Sequence, residues 1–404
     1  MNILYINHYA GGPEYGMAFR PHYLAREWKL LGHQVTVVGA SFSHLRTKQP
    51  EVREENVDGV RYVWLKTPNY TGNGLGRVKN ILSFLYGLYT DVEHIVGRNV
   101  PDVVINSSTY PLDSCPGDRI AKKYKAKLIF EAHDLWPLSP MELGNMSKYH
   151  PFILVMQFGE NYAYKHADKV ISILPCTKPH MCNHGLLPEK FVHIPNGIDI
   201  SEWRKGGALP QEYSDIFTKL QQHGRFVIGY TGGITVSDAL EYLLAAAKML
   251  KDTKLSVVIV GKGDGKKALE NYVLANHLDN VIFLPPVDKC CVPVVLSQMD
   301  GVFIGWHKHS LYRFGISPNK IYDYMMAGKP IIHSVEAAND LVAEANCGIS
   351  VAAEDHEAIA GAIRELMNMT DTERQRLGEN GRKFVIKHHD YKVLAKKFID
   401  AIED

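Results

Sequence analysis

Charge of either sign in excess is missing from this 404-residue sequence. Its 45 lysines and arginines face 44 aspartates and glutamates, for a formal net charge of +1. A chain without a net field has no global attraction for nucleic acid, so any anion it binds must be held by a local cluster. Long apolar runs are also missing: none approaches the ~20 residues that cross a bilayer. The opening Met1-Asn2-Ile3-Leu4-Tyr5-Ile6-Asn7 lacks the basic start and apolar centre of a leader peptide and reads as a first strand. Cysteine is sparse, with six in all and no C-x-x-C pair, and the adjacent Cys290 and Cys291 are too tight for an ordinary mutual disulfide. Reduced thiols in a cytoplasmic chain, able to touch a membrane surface, are the expectation. No two aspartates are separated by a single residue, and none of the 19 histidines pairs with Cys or Glu at zincin or finger spacing. No metal is expected.

What is present is ordinary for a soluble enzyme, with 46% hydrophobic and 22% charged residues. The length suits two or three domains. Short β-branched runs such as Ile3–Ile6, Val35–Val38, Val103–Asn106 and Leu128–Glu131 alternate with stretches of helical period such as Phe19–Leu31 and Phe152–His166. This is the pattern of parallel sheets covered on both faces. The alternation starts twice, because Arg225-Phe226-Val227-Ile228-Gly229-Tyr230 opens a new series after a polar stretch. We therefore expect an α/β chain of two doubly wound, Rossmann-like domains facing a central cleft. The first covers 1–200 and is rejoined by a terminal helix from about 390 to 404, and the second covers 201–389.

Four segments carry polar groups at strand ends. The first strand runs into His8-Tyr9-Ala10-Gly11-Gly12-Pro13-Glu14-Tyr15-Gly16, a glycine loop suited to close approach of backbone to a ligand. It is not G-x-G-x-x-G, and no acidic residue ends the second strand, which disfavours a dinucleotide. Leu128–Glu131 leads to His133 and Asp134; Asp134 is placed either to fix the ring's tautomer or to cap the next segment. In the second series, Tyr230-Thr231-Gly232-Gly233 and Gly261-Lys262-Gly263-Asp264-Gly265 are two flexible strand ends. The richest segment is Gly315-Ile316-Ser317-Pro318-Asn319-Lys320-Ile321-Tyr322-Asp323. Ser317 or Asn319 starts a helix, Lys320 adds charge to its first turn, and Asp323 stands on the same face. Such a turn suits a phosphate and such a carboxylate a vicinal diol; the alternative is a plain surface ion pair. Residues Arg77 to Tyr89 form an apolar stripe (Val78, Ile81, Leu82, Leu85, Leu88) that reads either as a covering helix or as an amphipathic helix resting on lipid.

Taken in order, Gly11-Gly12, Glu131-Ala132-His133-Asp134-Leu135-Trp136-Pro137, Pro195-Asn196-Gly197-Ile198-Asp199, Tyr230-Thr231-Gly232-Gly233 and Ser317-Pro318-Asn319-Lys320 with Asp323-Tyr324 resemble the retaining GT-B glycosyltransferases of family 4. Within them the opening Asn7 to Gly16 is most similar to bacterial surface-polysaccharide transferases of the fucosamine-transferase (WbuB) type. The resemblance spans nearly the whole chain. It implies a GT-B fold and transfer, with retention, of a hexose or N-acetylated amino sugar such as N-acetylfucosamine. The donor would be a UDP-sugar and the acceptor a lipid-linked saccharide at the cytoplasmic face of a membrane, in O-antigen or capsule synthesis.

It further implies that Gly232, Gly233 and the turn Ser317–Asn319–Lys320 hold the diphosphate, Asp323 the ribose, and Lys262 with Val287 the base. His133 would contact the donor sugar, Gly12 would let its loop approach the diphosphate, and His8, Gly11, Glu14, Tyr15 and Asp134 would lie on the acceptor side. His133, Lys320 and Asp323 would be the catalytic set, with no cofactor and no metal. Two departures stand out. The family's two Glu seven residues apart become Gly315 and Asp323, leaving the donor-sugar hydroxyls to backbone near Ile316 and Ser317. The lysine usual after the second domain's first glycine loop is absent, so Lys320, with Arg313 second, supplies the phosphate charge. The rival readings are a UDP-sugar 2-epimerase of the same fold, a nicotinamide or flavin oxidoreductase, and a binding-only protein.

Overall fold

A computed structural model describes residues 1–16, 19–72 and 74–404. The chain divides into two units, one formed by Met1–Asn196 with Tyr391–Asp404 and the other by Gly197–Asp390.

The first unit is built on β1 (Asn2–Ile6), β2 (Gln34–Ala40), β3 (Glu54–Val57), β4 (Val60–Leu65), β5 (Val103–Asn106), β6 (Lys127–Ala132), β7 (Lys169–Ser172) and β8 (Phe191–His193). Their order across the sheet is β3-β4-β2-β1-β5-β6-β7-β8. The central strands β1, β5 and β6 are short and buried, as a sheet covered by helices on both faces requires. The expectation of an all-parallel sheet needs one correction. β3 pairs antiparallel with β4 in a hairpin closed by Asp58 and Gly59, both at positive φ (52° and 80°). That turn matches the right-handed twist of the two strands. The terminal helix Tyr391–Glu403 packs against the helix Phe19–Leu30. Trp28 Nε1 donates to the Ala395 carbonyl at 3.1 Å, and the rings of Trp28 and Phe398 meet at 5.0 Å.

The second unit contains β9 (Phe226–Gly233), β10 (Leu255–Lys262), β11 (Val281–Leu284), β12 (Gly301–Gly305), β13 (Ile331–Ser334) and β14 (Gly348–Val351), all parallel, in the order β11-β10-β9-β12-β13-β14. The polar stretch ahead of β9 contains a helix, Gln211–Gln222, anchored by Tyr213 and Phe217. Two apolar residues four apart are enough to seat an otherwise polar helix.

In both sheets the strand order reverses once, between β1 and β5 in the first unit and between β9 and β12 in the second. Loops leave in opposite directions at such a point, so a crevice opens outside the carboxyl ends of those strands. The polar strand-end segments picked out from sequence fall at or next to these two edges.

Candidate active site

In the second unit β9 and β10 run in register to their ends, with Gly232 opposite Gly261 and Gly233 opposite Lys262. Gly232 and Gly261 have φ of +148° and +156°, a region that side chains avoid. A Cβ on Gly232 would lie 2.5 Å from Lys320 Cε, and one on Gly261 would overlap the Gly232 carbonyl oxygen. The missing side chains thus let the Lys320 stem cross the strand end.

Lys320 is in the first turn of the helix Asn319–Ala327, whose N-cap is Pro318 and which has no side-chain cap. Its first N–H groups therefore need an acceptor from outside the helix, and the helix dipole favours a negative one. Lys320 Nζ donates to Tyr230 Oη at 2.5 Å, lies 4.8 Å from the centre of that ring, and forms an ion pair with Asp238. Asp238 in turn completes a capping box with Thr235 and accepts from the Thr235 amide at 2.9 Å. Burial raises the Asp238 pKa, but the Lys320 charge and hydrogen bonds outweigh it and hold the carboxyl below its ordinary value.

One turn further, Asp323 is half-buried and makes no hydrogen bond or salt bridge with any described residue. Burial pushes its pKa up to about 6, opposed by the Lys289 charge. A carboxylate held this way has both oxygens available to hydroxyl donors. Lys262 ends β10 and Val287 follows the adjacent β11; Lys262 is exposed and Val287 packs on the core. Ser317 Oγ lies 2.9 Å from Tyr322 Oη, and Asn319 is exposed at the helix start.

Two expectations for this unit change. The Ile316 amide donates to Asn339 Oδ1 at 2.7 Å and its carbonyl accepts from Asn339 Nδ2 at 3.1 Å, so the Ile316 backbone is already in use. Arg313 is exposed on its own turn, donating to the Ser310 carbonyl at 2.6 Å and stacking over the Phe314 ring at 4.4 Å. Lys320, not Arg313, stands at the glycine edge.

In the first unit β1, β5 and β6 bring together a network that sequence reading missed. Glu131 is fully buried and accepts from Arg20 (2.8 and 3.0 Å), Tyr5 (2.6 Å) and Ser107 (2.5 Å). Burial alone would raise its pKa, but Arg20, His133 and Ser107 hold it well below the usual carboxylate range. His133 Nε2 lies 2.8 Å from Ser107 Oγ and 3.4 Å from Glu131 Oε2, with the ring partly exposed. Ser107 and Glu131 therefore orient His133. Asp134 does neither job proposed for it: it is exposed, makes no hydrogen bond to His133, and the next helix, Leu138–Gly144, begins behind Pro137.

The acceptor-side expectations are also revised. His8 is fully buried, with Nδ1 2.6 Å from Tyr110 Oη and Nε2 2.7 Å from Asn80 Oδ1. Burial pushes its pKa down to about 3, so it is a neutral structural ring, closed to a ligand. The Tyr15 hydroxyl is engaged by Glu55 and its ring packs on Trp64. Gly11 and Gly12 are buried, the Gly12 carbonyl closes a tight turn by accepting from Tyr15 and Gly16 at 3.0 Å, and Glu14 is exposed.

Residues 15–197 match the family model described as glycosyl transferase 4-like domain, and residues 225–369 that described as glycosyl transferases group 1. A protein of Escherichia coli K12 named as a colanic acid biosynthesis glycosyl transferase, WcaI, is 24% identical over 358 residues, covering 83% of this chain and 84% of its own. Among solved structures, HepE of Anabaena in complex with UDP-glucose superposes with a TM-score of 0.69 at 16% identity, over 100% of this chain and 99% of that one. WaaG, described as a glycosyltransferase involved in lipopolysaccharide biosynthesis, gives 0.66 at 15% identity over 99% of both chains. The two-domain arrangement of parallel sheets is the GT-B fold.

Proposed function

From the premise that the chain belongs to the group 1 glycosyltransferases, with a 4-like first domain, we propose that it transfers a sugar from a UDP-sugar to a lipid-linked saccharide in surface-polysaccharide synthesis. The observation that carries this reading is the second unit's strand edge. There an uncapped helix start and Lys320 face the Gly232–Gly233 turn, and the unpartnered Asp323 follows on the same helix. A diphosphate takes the helix N–H groups and the Lys320 ammonium, and Asp323 accepts from the two ribose hydroxyls. WcaI and WaaG carry names from polysaccharide and lipopolysaccharide synthesis, and HepE was solved with UDP-glucose, which supports the donor and pathway class.

As the glycosidic bond breaks, negative charge grows on the departing phosphate oxygen. The helix start and Lys320 stabilise that charge more than they stabilise the bound donor, which is what acceleration requires. In this scheme no bound metal takes part. The acceptor oxygen bonds to the anomeric carbon on the face from which the phosphate departs and gives its proton to the leaving oxygen, so the anomeric configuration is retained. His133, oriented by Ser107 and Glu131, holds a sugar hydroxyl and is not asked to be a strong base.

The lipid side of the reading rests on the first unit's surface. Helix Leu75–Thr90 has no acidic residue and leaves Leu75, Leu82 and Tyr86 exposed, Leu82 by 57% and Tyr86 by 69%. Helix Pro151–His166 exposes Leu154, Val155 and Phe158. The inward sides of both helices contribute to one cluster around Tyr110, Leu112 and Met156, which seats the two helices in the same part of this unit. With the exposed Lys79 alongside Leu82 and Tyr86, these exposed apolar side chains are suited to resting on anionic lipid. No helix among the described residues is long and apolar enough to cross a membrane.

A thermal-shift panel of UDP, GDP, ADP, dTDP and NADH tests the donor assignment. UDP at 100 times its Kd adds ~2.7 kcal/mol and several degrees. A shift with UDP that Lys320→Ala removes supports the reading, and a shift with GDP or NADH instead overturns it.

A further inference from the structure

The first unit also assembles a cluster that the transfer reaction does not use. Glu160, on the helix Pro151–His166, meets His180 and His184, on the short helix Lys178–Asn183 and its C-cap. Four residues apart, the two histidines share one face, with ring centres 4.6 Å from each other. His180 Nε2 is 3.0 Å from Glu160 Oε1, and one ligand-capable atom from each of the three residues lies within 4.8 Å of the others.

Among the described residues, the carboxylate of Glu160 has no fixed cation beside it. Glu160 is 1% exposed, and among the described residues no lysine or arginine pairs with it. It accepts from Tyr164 Oη at 3.0 Å and from Gln157 Nε2 at 2.7 Å. The same Gln157 nitrogen lies 2.8 Å from Asn161 Oδ1 and 3.0 Å from His184 Nδ1. Asn161 Oδ1 can only accept and lies 3.1 Å from His184 Nδ1, so Nδ1 carries the ring proton and Nε2 keeps the lone pair, beside a buried carboxylate. A buried carboxylate that no described lysine or arginine neutralises, with two imidazoles in reach, is an electrostatic setting for a bound cation.

We propose that Glu160, His180 and His184 bind one divalent transition-metal ion of the Zn²⁺ class, pinning the helix Lys178–Asn183 to the helix Pro151–His166. One carboxylate and two imidazoles suit Zn²⁺, Co²⁺ or Ni²⁺ better than Mg²⁺ or Ca²⁺, which prefer all-oxygen sets. Metal–ligand bonds of ~2.0–2.1 Å draw the three atoms closer than they now lie, a shift within reach of the half-buried His184. Tyr164 and Gln157 on Glu160, with Asn161 beside His184, supply the outer hydrogen bonds that fix ligand orientation. The nucleotide seat is in the other unit, so the ion acts as a structural staple.

The test is titration of the untagged full-length chain, stripped with chelator, with Zn²⁺ against a chromophoric competitor and with Co²⁺ as an optical probe. One equivalent of each, visible Co²⁺ d–d absorption and a higher melting temperature with Zn²⁺ are expected. The double variant His180→Ala/His184→Ala should lose that equivalent. His184→Gln, at a half-buried position that folding tolerates more readily, should weaken binding by at least about tenfold. Melting in excess chelator checks that both variants fold. Absence of a stoichiometric site in the wild type, or a site that survives the double variant and so lies elsewhere, for example at Cys290 and Cys291, overturns the proposal.

Discussion

Replacing Lys320 by alanine should cost the chain most of its affinity for UDP. The ammonium stands over the Gly232 turn, bonded to Tyr230 at 2.5 Å and paired with Asp238, and its side chain is 26% exposed. A charge-assisted hydrogen bond to phosphate is worth ~1.5–3 kcal/mol. Removing Lys320 also leaves Asp238 facing the incoming diphosphate without its cation. That repulsion is ~1 kcal/mol at 4 Å in a water-like medium and more in a drier one. The total, ~2.5–4 kcal/mol, weakens UDP roughly 60- to 700-fold. Asp238→Asn separates the two parts. Asparagine keeps an acceptor for Thr235 but not the charge, so Lys320→Ala/Asp238→Asn should regain roughly fivefold over Lys320→Ala alone. Isothermal titration with UDP reads all four proteins. Binding by Lys320→Ala within twofold of the wild type would refute the assignment of the diphosphate to this helix start.

Three other outcomes follow from the same geometry. Asp323, with its pKa raised to about 6, must be ionised to accept from a ribose diol. UDP-glucose affinity should therefore fall about tenfold between pH 7 and pH 5, and Asp323→Asn should bind weakly at both; a flat wild-type profile would contradict this. In the first unit, Arg20→Ala strands the buried Glu131 carboxylate and should destabilise by ~3–5 kcal/mol, seen in calorimetry as a lower melting temperature. Because Glu131 is held below its ordinary value, the stability it contributes is present above about pH 4.5 and lost as pH falls through the depressed pKa. Leu82→Asp/Phe158→Asp should abolish flotation with anionic vesicles while leaving UDP binding unchanged. Equal flotation of variant and wild type would remove those helix faces from the membrane reading.

The alternation of β-branched runs with helical stretches was legible because strands buried on both faces must be apolar along their length. The segment from Gly315 to Pro330 was legible for a different reason: a helix start, the lysine in its first turn and the aspartate one turn on are all local in sequence. The hairpin β3–β4 was hidden by Glu54 and Glu55, which read as a loop, although Asp58-Gly59 is the turn pair that such a hairpin needs. What could not be read was set by register. Tyr5, Ser107 and Glu131 come together only because β1, β5 and β6 are neighbours, and Asp238 reaches Lys320 from 82 residues away. His8 shows the converse. Its place at a strand end resembles that of a site residue, but Asn80 and Tyr110, 72 and 102 residues distant, enclose it.

The central claim is transfer from a UDP-sugar to a lipid-borne acceptor. It is tested most directly by incubating the chain with radiolabelled UDP-sugars and a bacterial lipid-linked saccharide extract, then partitioning the products into organic solvent. The account predicts label in the lipid phase with one UDP released per sugar moved, abolished in Lys320→Ala. UDP release or epimerised sugar without any lipid-phase label would contradict it and indicate an isomerase of the same fold.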